Sequence, residues 1–244
     1  MNDTKKRVAG SNALEIHGLR KAYGSLVALD GIDLTVPKGE IFGLLGHNGA
    51  GKTTTIECAL GTKRTDGGTV SVLDMNPERD RKKLFARVGV QFQHTGFQDK
   101  LRVDEACALA ASLYRENRDW RELLERFSLL EKRASFVSEL SGGERQKLAV
   151  AVALIHGPEL LFLDELTTGL DPASRRTVWD YLKALKNDGV SIVLTSHYMD
   201  EVEYLCDRVA ILRKGKIVME GTPEELVAEH NAKNLEDVFL KEAM

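Results

Sequence analysis

The stretch Gly46-His47-Asn48-Gly49-Ala50-Gly51-Lys52-Thr53 decides the fold of this chain. It directly follows an apolar run at residues 41–45, which is typical of a buried strand, and a helix-forming segment comes after it. Glycines at these positions let the backbone turn tightly, so that successive N–H groups point into one concavity and can hold phosphate oxygens. The following helix adds the positive end of its dipole. A Gly-rich turn could match by chance, but the order strand, loop, helix predicts a phosphate-binding loop and a bound nucleoside triphosphate.

Within this loop, called the P-loop below, two side chains have predicted roles. Lys52 is expected to reach the β- and γ-phosphates, and the Thr53 hydroxyl is expected to take one site on Mg²⁺. The residues expected to surround the nucleotide here are Gly46, His47, Asn48, Gly49, Ala50, Gly51, Lys52, Thr53 and Thr54.

Composition narrows the class of protein. The 244 residues are 43% apolar and 29% charged, which is enough to bury a substantial core in one large α/β domain or two small ones. The net charge is −3 and basic residues are interspersed with acids, so nucleic acid is not an expected partner. The longest apolar run, residues 148–155, is far shorter than the ~20 residues that a membrane span needs. Residues 1–12 are polar and are interpreted as a loose tail rather than a secretory signal.

The cysteine pattern, together with the lack of an expected secretory signal or membrane span, predicts a cytoplasmic protein. Cys58, Cys107 and Cys206 are far apart and lack C-x-x-C spacing, so they are interpreted as buried thiols in a reducing compartment rather than a disulfide or a metal site.

Strand and helix patterns alternate along the chain. Residues 14–36 alternate in a strand-like way, with turn residues at Asp30-Gly31, and 69–73 rejoin them, which predicts an antiparallel β-layer. Further strands are predicted at 88–92, 160–163, 191–194 and 208–212. Asp171 is the predicted N-cap of a helix over 172–187, which carries one apolar stripe that is expected to face the core. Strands alternating with helices around a P-loop predict a mostly parallel sheet covered on both faces.

Between residues 94 and 157 the character changes to helical. Segments 103–114, 119–130 and 144–156 show helical spacing and are predicted to form an inserted helical subdomain. The expected organisation is therefore a single α/β domain over 1–244. Its parts are a tail (1–12), a core with an antiparallel β-subdomain (13–93 and 158–244) and the helical subdomain (94–157).

Two carboxylates end the apolar strand at 160–163. Charge at the end of a buried strand is costly without a partner, and Mg²⁺ beside the P-loop would be that partner. Asp164 is then expected to hold the metal and Glu165 to polarise the attacking water as a general base. The alternative is a pair of solvated carboxylates in a loop.

The stretch Leu140-Ser141-Gly142-Gly143-Glu144 precedes a predicted helix near Arg145. Two glycines at a helix N-terminus can form an anion-binding nest, and Ser141 adds a hydroxyl. Taken alone, the stretch is equally an ordinary helix start capped by Ser141.

Together with Leu170-Asp171, Gln93 and His197, these motifs resemble the nucleotide-binding subunit of an ABC transporter. The resemblance covers roughly residues 14–240, and the Ser-Gly-Gly element separates this family from other P-loop classes. It implies an ATPase that works with ATP and Mg²⁺ as a head-to-tail dimer. Each ATP is held by the P-loop of one subunit and by the Leu-Ser-Gly-Gly element of the other.

The resemblance also implies roles for single residues. Tyr23 would stack on adenine, Gln93 would contact Mg²⁺ and the attacking water, and His197 would hydrogen-bond the γ-phosphate. Across the dimer, Ser141, Gly142 and Gly143 would bind the partner's ATP, and Asp171 would contact the partner.

For some of these positions the residue type alone also allows a different interpretation. Tyr23 could instead pack on the core as a strand aromatic, although adenine needs an apolar platform. A single His such as His197 is often a structural residue. Gln93 is chosen over Gln91 and Gln98 because it is expected to end the strand at 88–92.

Three positions depart from the family pattern. Glu144 replaces the usual Gln and adds negative charge beside Ser141 and the glycines. Leu166 replaces the usual Pro, and Gly169 stands where Ala is common. None of these changes removes a catalytic group.

The class of ABC protein follows from length and motif number. The segment between Lys52 and Asp164 is too short for the coiled coil of DNA-repair relatives, and one P-loop excludes twin-cassette factors. The stretches 167–172, 196–201 and 234–240 resemble ATPases of multidrug, antibiotic and other small-molecule or lipid exporters, although the last is also simply a short amphipathic helix.

The expected partners are a second copy, or a paralogous ATPase, and a separate membrane permease. Phe97, in a polar loop, is the candidate permease contact, or else part of a plain surface loop.

The expected location is the cytoplasmic face of the cell membrane, through that permease. The competing hypothesis is a soluble ABC ATPase that acts in assembly or regulation. A small-molecule kinase is a remote third option, because it would leave the Ser-Gly-Gly element without a task.

Overall fold

The computed structural model describes residues 12–92, 96–98, 100–167 and 169–243. The strands are β1 (Asn12–Tyr23), β2 (Leu26–Pro37), β3 (Ile41–Leu45), β4 (Gly67–Val72), β5 (Val88–Gln91), β6 (Leu160–Asp164), β7 (Ser191–Ser196), β8 (Arg208–Arg213) and β9 (Lys216–Gly221). The helices are α1 (Lys52–Ala59), α2 (Arg81–Phe85), α3 (Val103–Ser112), α4 (Trp120–Arg126), α5 (Gly142–Leu154), α6 (Pro172–Asn187), α7 (Met199–Leu205), α8 (Pro223–Glu229) and α9 (Leu235–Ala243).

A three-stranded antiparallel sheet in the order β2-β1-β4 confirms the predicted β-layer. One expected turn is wrong. Asp30-Gly31 lies inside β2, where Gly31 has φ 79° and the register with β1 shifts, so this dipeptide forms a β-bulge instead. β1 begins at Asn12, which therefore belongs to a strand, whereas the rest of the proposed tail (1–11) lies outside the described residues.

A six-stranded sheet in the order β5-β6-β7-β3-β8-β9 confirms the mostly parallel α/β core. All neighbouring pairs are parallel except β8 and β9. Asp164 of β6 pairs with Thr195 of β7, and Leu45 of β3 pairs with Ser196 of β7. The carboxyl ends of these three strands therefore meet at one edge of the sheet.

Side chains of β3 show how the sheet is covered on both faces. Ile41 and Leu45 belong to one buried apolar cluster, whereas Phe42 and Leu44, which point the opposite way, belong to another. The first cluster joins the sheet to α5, α6 and the insert, and the second joins it to the three-stranded sheet and α1. Because both faces are buried, β3 is a continuous apolar run.

Helices α3, α4 and α5 lie between β5 and β6 in the chain, as the helical pattern predicted. α5 begins at Gly142, two residues before the predicted helical segment 144–156. β5 ends at Gln91, so the expectation that Gln93 ends this strand is wrong, and Gln93 itself lies outside the described residues. Phe97 is half-buried and packs against the first apolar cluster, whereas it was expected to be exposed.

The predicted helix over 172–187 is confirmed as α6. The Asp171 side chain accepts a hydrogen bond from the Ser174 N–H, and Pro172 fills the first turn. Its apolar stripe is buried as expected.

In the part of the chain that is described, no helix is long and apolar enough to cross a membrane. Cys58, Cys107 and Cys206 are buried free thiols, as their spacing indicated.

Candidate functional site

The P-loop connects β3 to α1 and its glycines are required by close neighbours. A Cβ atom on Gly51, which has φ 112°, would lie 2.7 Å from Leu29 Cδ2 and 2.8 Å from the Ala28 carbonyl oxygen. Only glycine avoids both the clash and the unfavourable backbone conformation. Ala28 and Leu29 of β2 therefore leave no room for a side chain at this position of the P-loop.

Lys52 is folded back into the loop. Its Nζ donates hydrogen bonds to the carbonyl oxygens of Gly46 at 2.7 Å and His47 at 3.3 Å, and the residue is 6% exposed. Burial lowers the pKa of Lys52, and the charges of Glu165 and Asp164 oppose that shift. The ammonium group thus lies in the electrostatic field of both carboxylates and is held by the loop that is expected to bind phosphate.

Asp164 meets the P-loop through hydroxyl groups. The residue is 2% exposed, and its carboxylate accepts hydrogen bonds from Thr53 Oγ1 at 2.9 Å and Thr195 Oγ1 at 2.5 Å. The buried carboxylate therefore has partners, as a charge at this position requires. Thr195 was not predicted, and the only signal for it is a hydroxyl residue near the end of the apolar strand β7.

A hydroxyl and a carboxylate side by side form a donor set that fits Mg²⁺. This ion prefers hard oxygen ligands and is commonly bound by one or two carboxylates together with substrate phosphates. Thr53 and Asp164 supply such oxygens beside the loop. Among the described residues no group of three or more His, Cys, Asp or Glu could hold a metal ion.

Glu165 and His197 are brought together at the same sheet edge. His197 Nδ1 lies 3.9 Å from Glu165 Oε1, which is longer than a hydrogen bond. Glu165 has φ 51°, and its N–H donates to Thr195 Oγ1 at 3.0 Å. Non-glycine residues with such a backbone are strained and concentrate at functional sites. The side chain of Glu165 is 11% exposed and that of His197 is 42% exposed.

Several cavities adjoin the P-loop among the described residues, and two of them reach Glu165. The first of these two, of about 370 Å³, is lined by Tyr23, Lys52, Thr53 and Glu165 among others. Tyr23 is 43% exposed and is therefore not the core aromatic of the alternative interpretation. An aromatic at one end and a phosphate-type loop at the other match the shape of a nucleotide.

The second cavity, of about 420 Å³, shares Glu165 with the first and is also lined by His47, His197 and Phe239. Phe239 of α9 is 8% exposed, and its ring centroid lies 4.9 Å from that of His47. Sequence reasoning missed this contact, because the stretch 234–240 indicates an amphipathic helix but not the surface that it covers.

The second motif forms the start of α5. Ser141 is the N-cap, its Oγ accepts a hydrogen bond from the Glu144 N–H at 3.2 Å, and Glu144 Oε2 accepts from the Ser141 N–H at 2.9 Å. Among the described residues, none of Ser141, Gly142, Gly143 and Asp171 lines either cavity beside the P-loop. These residues are not brought to the nucleotide site of their own chain.

The extra charge of Glu144 is locally paired. Lys132 Nζ lies 2.5 Å from Glu144 Oε1. The hydrogen bonds from Lys132 and from the Ser141 backbone lower the pKa of Glu144 to about 2. The negative charge that departs from the family pattern is therefore offset by a lysine from the segment before α5.

Comparisons with known proteins agree with this geometry. The sequence profile described as ABC transporter matches residues 29–168, and one described as AAA domain, putative AbiEii toxin, Type IV TA system matches residues 137–201. Daunorubicin resistance ATP-binding protein DrrA3 of Streptomyces coeruleorubidus is 39% identical over 236 residues, which are 95% of this chain and 74% of that protein. Nod factor export ATP-binding protein I of Mesorhizobium japonicum is 40% identical over 228 residues, covering 91% of this chain and 67% of that protein.

Solved structures show the same fold. A structure described as the ATP binding subunit of an ABC transporter is 26% identical, with a TM-score of 0.86 over 94% of this chain and 98% of that chain. A nucleotide-free ATP-binding cassette from an ABC transporter is 22% identical, with a TM-score of 0.81 over 93% of this chain and 98% of that chain. The profile covers more than half of the chain and the relatives cover nearly all of it. This chain is a member of the ABC transporter family of ATP-binding, ATP-hydrolysing proteins.

Proposed function

We propose that two copies of this chain close over ATP and that hydrolysis powers a separate membrane permease in the direction of export. The observation that supports the proposal is that the P-loop and the strand-end carboxylates lie together, whereas the Ser-Gly-Gly element of the same chain lies apart from them. Lys52, Thr53 and Glu165 line one cavity and Asp164 is bonded to Thr53, whereas Ser141 and Asp171 do not line that cavity. A second copy is the simplest source of the missing groups.

In this proposal the first cavity holds the nucleotide. Tyr23 stacks on the adenine ring, because an aromatic face offers a planar base an apolar platform. The P-loop backbone from Gly46 to Thr54 donates N–H groups to phosphate oxygens, and the start of α1 adds its dipole. Lys52 exchanges the carbonyl oxygens of Gly46 and His47 for phosphate oxygens, which restores a full ionic partner to the buried ammonium.

Thr53 and Asp164 are proposed to hold Mg²⁺, with Gln93 as a further ligand. When bound, the ion supplies divalent charge that offsets negative charge on the phosphates. Glu165 accepts the proton of the attacking water as general base, and its strained backbone fixes the carboxylate beside the phosphate site. His197, 3.9 Å from that carboxylate, donates a hydrogen bond to the γ-phosphate.

Across the dimer, Ser141, Gly142 and Gly143 are proposed to bind the ATP of the partner, and Asp171 to contact the partner directly. The start of α5 suits an anion because Ser141 and Gly142 are exposed at the N-terminus of a helix, where the dipole is positive. We also propose the division into a core (13–93 and 158–244) and a helical subdomain (94–157), with the region around Gln93 and Phe97 passing dimer closure to a permease helix.

The export direction and the membrane location are inferred from relatives. The relatives described above include a daunorubicin resistance protein and a Nod factor export protein. By analogy we propose a small molecule, drug or lipid as cargo, and a position on the cytoplasmic face of the cell membrane through the permease. The test is to purify the native chain from membrane extracts. A polytopic membrane protein that co-purifies with the chain would support this proposal, and purification of the chain without such a protein would contradict it.

The dimer hypothesis is tested with Glu165→Gln, which removes the general base but preserves the shape of the side chain. We expect this variant to bind ATP, to lose turnover and to accumulate as a dimer in saturating ATP and Mg²⁺, as measured by light scattering. Glu224→Gln, an exposed position at the start of α8, is the matched control and should behave like the wild type. A Glu165→Gln protein that stays monomeric, or that hydrolyses ATP at the normal rate, would refute the proposal.

A further inference from the structure

A second buried carboxyl lies close to the site and has no role in the function proposed above. Glu201, in α7, is 1% exposed and its Oε1 accepts a hydrogen bond from Trp179 Nε1 at 2.9 Å. Burial raises the pKa of Glu201, and the nearby hydroxyl groups of Ser196 and Thr167, together with the Trp179 N–H, oppose that shift. Among the described residues its partners are O–H and N–H donors rather than a cation. A buried acidic group is costly, so a role for it is expected.

The donors come from three different segments. Ser196 ends β7 and directly precedes His197, Thr167 follows Glu165 by two positions, and Trp179 belongs to α6, whose N-cap is Asp171. Thr167 and Ser196 are each 1% exposed. The Thr167 hydroxyl faces the carboxyl without forming a well-aligned hydrogen bond to any described group. The Glu201 carboxyl is therefore bonded to α6 through Trp179 and lies near the hydroxyl groups of the segments that follow Glu165 and precede His197.

Ser196 extends this arrangement towards His197. Its Oγ accepts a hydrogen bond from the Tyr198 N–H at 3.0 Å, which fixes the backbone on both sides of His197. The hydrogen bond between Trp179 and Glu201 ties α7, which begins two residues after His197, to α6, and the Glu201 carboxyl lies near the Ser196 hydroxyl that closes the turn. On the other side, Glu165 adopts φ 51°, a conformation that persists only where surrounding contacts hold it.

We propose that Glu201 is a positioning residue that holds His197 and the segment from Glu165 to Asp171 in register with α6. The inference rests on the proposed roles of Glu165 and His197 in hydrolysis. Its physical basis is geometric, because a misplacement of about 1 Å in a reacting group can cost roughly 100-fold in rate. Glu201 itself touches neither nucleotide nor water in this proposal.

Three variants separate positioning from simple core stability. Glu201→Gln keeps the acceptor for Trp179 and adds an N–H₂ that the hydroxyls can accept, so we expect kcat within about twofold of wild type. Glu201→Ala and Glu201→Leu remove every hydrogen bond, and we expect kcat to fall about tenfold while ATP affinity changes less than about twofold. Asp200→Ala, an exposed carboxyl on the same helix, is the matched control and should leave both quantities unchanged.

Trp179 gives an independent spectroscopic readout. The chain has two tryptophans, so Trp120→Phe leaves Trp179 as the only indole reporter. In that background, Glu201→Ala should shift the emission of Trp179 because its N–H loses its partner, and Glu201→Gln should preserve the wild-type emission. Emission that is the same in all three proteins would show that the contact is absent in solution and would overturn the inference.

Kinetic outcomes distinguish this inference from the proposed function. If Glu165→Gln abolishes turnover but Glu201→Ala and Glu201→Leu hydrolyse ATP normally, only the positioning role fails. Parallel losses of kcat, ATP affinity and folded fraction in the apolar variants would also refute it, since they indicate a merely structural residue. If Glu201→Ala does not fold, Glu201→Leu, which fills the same volume, decides the question. A Glu165→Gln protein with normal turnover would instead remove the proposed function itself.

Discussion

Replacing Thr195 with Val tests whether hydroxyl groups hold the acidic end of β6. Thr195 is fully buried, and its Oγ1 donates to Asp164 Oδ1 at 2.5 Å while accepting from the Glu165 N–H at 3.0 Å. Valine has nearly the same shape, so the change removes the hydroxyl without opening a cavity. The buried carboxylate then keeps Thr53 as its hydroxyl donor among these contacts.

The expected cost follows from the two lost hydrogen bonds. A hydrogen bond to a charged group contributes about 1.5–3 kcal/mol, and removing one partner leaves the buried acceptor unsatisfied. The Glu165 N–H loses less, because it also donates to the Thr195 carbonyl oxygen at 3.2 Å. We therefore expect Thr195→Val to lower the free energy of unfolding by about 2 kcal/mol.

The assay is urea unfolding of the nucleotide-free protein at pH 7. Thr195→Ser is the matched control, because it keeps the hydroxyl and removes one buried methyl group, at a cost of about 1 kcal/mol. ATP turnover adds a second measurement, since Thr195→Val should displace both Asp164 and Glu165 whereas Thr195→Ser should not. A Val variant that is at least as stable as the Ser variant, with normal turnover, would refute the reasoning.

Three further predictions concern Lys52, Phe239 and Glu144. Lys52→Ala should abolish ATP binding in calorimetry, since the ammonium is the buried cation of the P-loop; detectable binding heat would contradict this. Phe239→Ala should lower the free energy of unfolding by about 3 kcal/mol and weaken ATP affinity, because a buried ring that packs on His47 is lost. The adjacent Leu240→Ala, at a side chain that is 44% exposed, should do neither. Glu144→Gln keeps the helix cap but breaks the partly exposed ion pair with Lys132, and should cost about 0.5 kcal/mol at pH 7. Because the pKa of Glu144 falls from its ordinary 4.5 to about 2 on folding, that stabilisation is present above pH 4.5 and is lost towards pH 2. The two proteins should therefore converge in acid, and a constant difference across this range would contradict the assignment.

Local patterns predicted the parts of the site that depend on adjacent residues. The P-loop, the Asp164-Glu165 pair and the Asp171 cap each lie within a few residues of an apolar run that identifies the strand or helix. The parts that were missed depend on register or on distant packing. Thr195 faces Asp164 because β6 and β7 pair in one register, and Phe239 reaches His47 because α9 folds back on the P-loop.

Weak periodicity explains the elements that were not predicted. β9 is an edge strand whose residues are half-buried or exposed, so it lacks the apolar run of its neighbours. α8 did carry a signal, since Thr222 and Glu225 form a capping box around Pro223, but with seven residues it shows little helical spacing. The Asp30-Gly31 dipeptide is favoured in turns and in bulges alike, and only pairing with β1 shows which one forms.

Hydroxyl groups, rather than cations, donate the hydrogen bonds to the Asp164 carboxylate at the edge of the parallel sheet. Asp164 accepts from Thr53 and Thr195, and Glu201 is faced by Ser196. A salt bridge would cancel the charge of an acidic group, whereas a hydroxyl supplies a hydrogen bond and leaves the charge in place. In the proposed mechanism this leaves Asp164 available for a metal ion and Glu165 available for a water proton, with Lys52 as the buried cation in their field. This arrangement accounts for a site that is preorganised before nucleotide binds, and Thr195→Val is the substitution that tests it most directly.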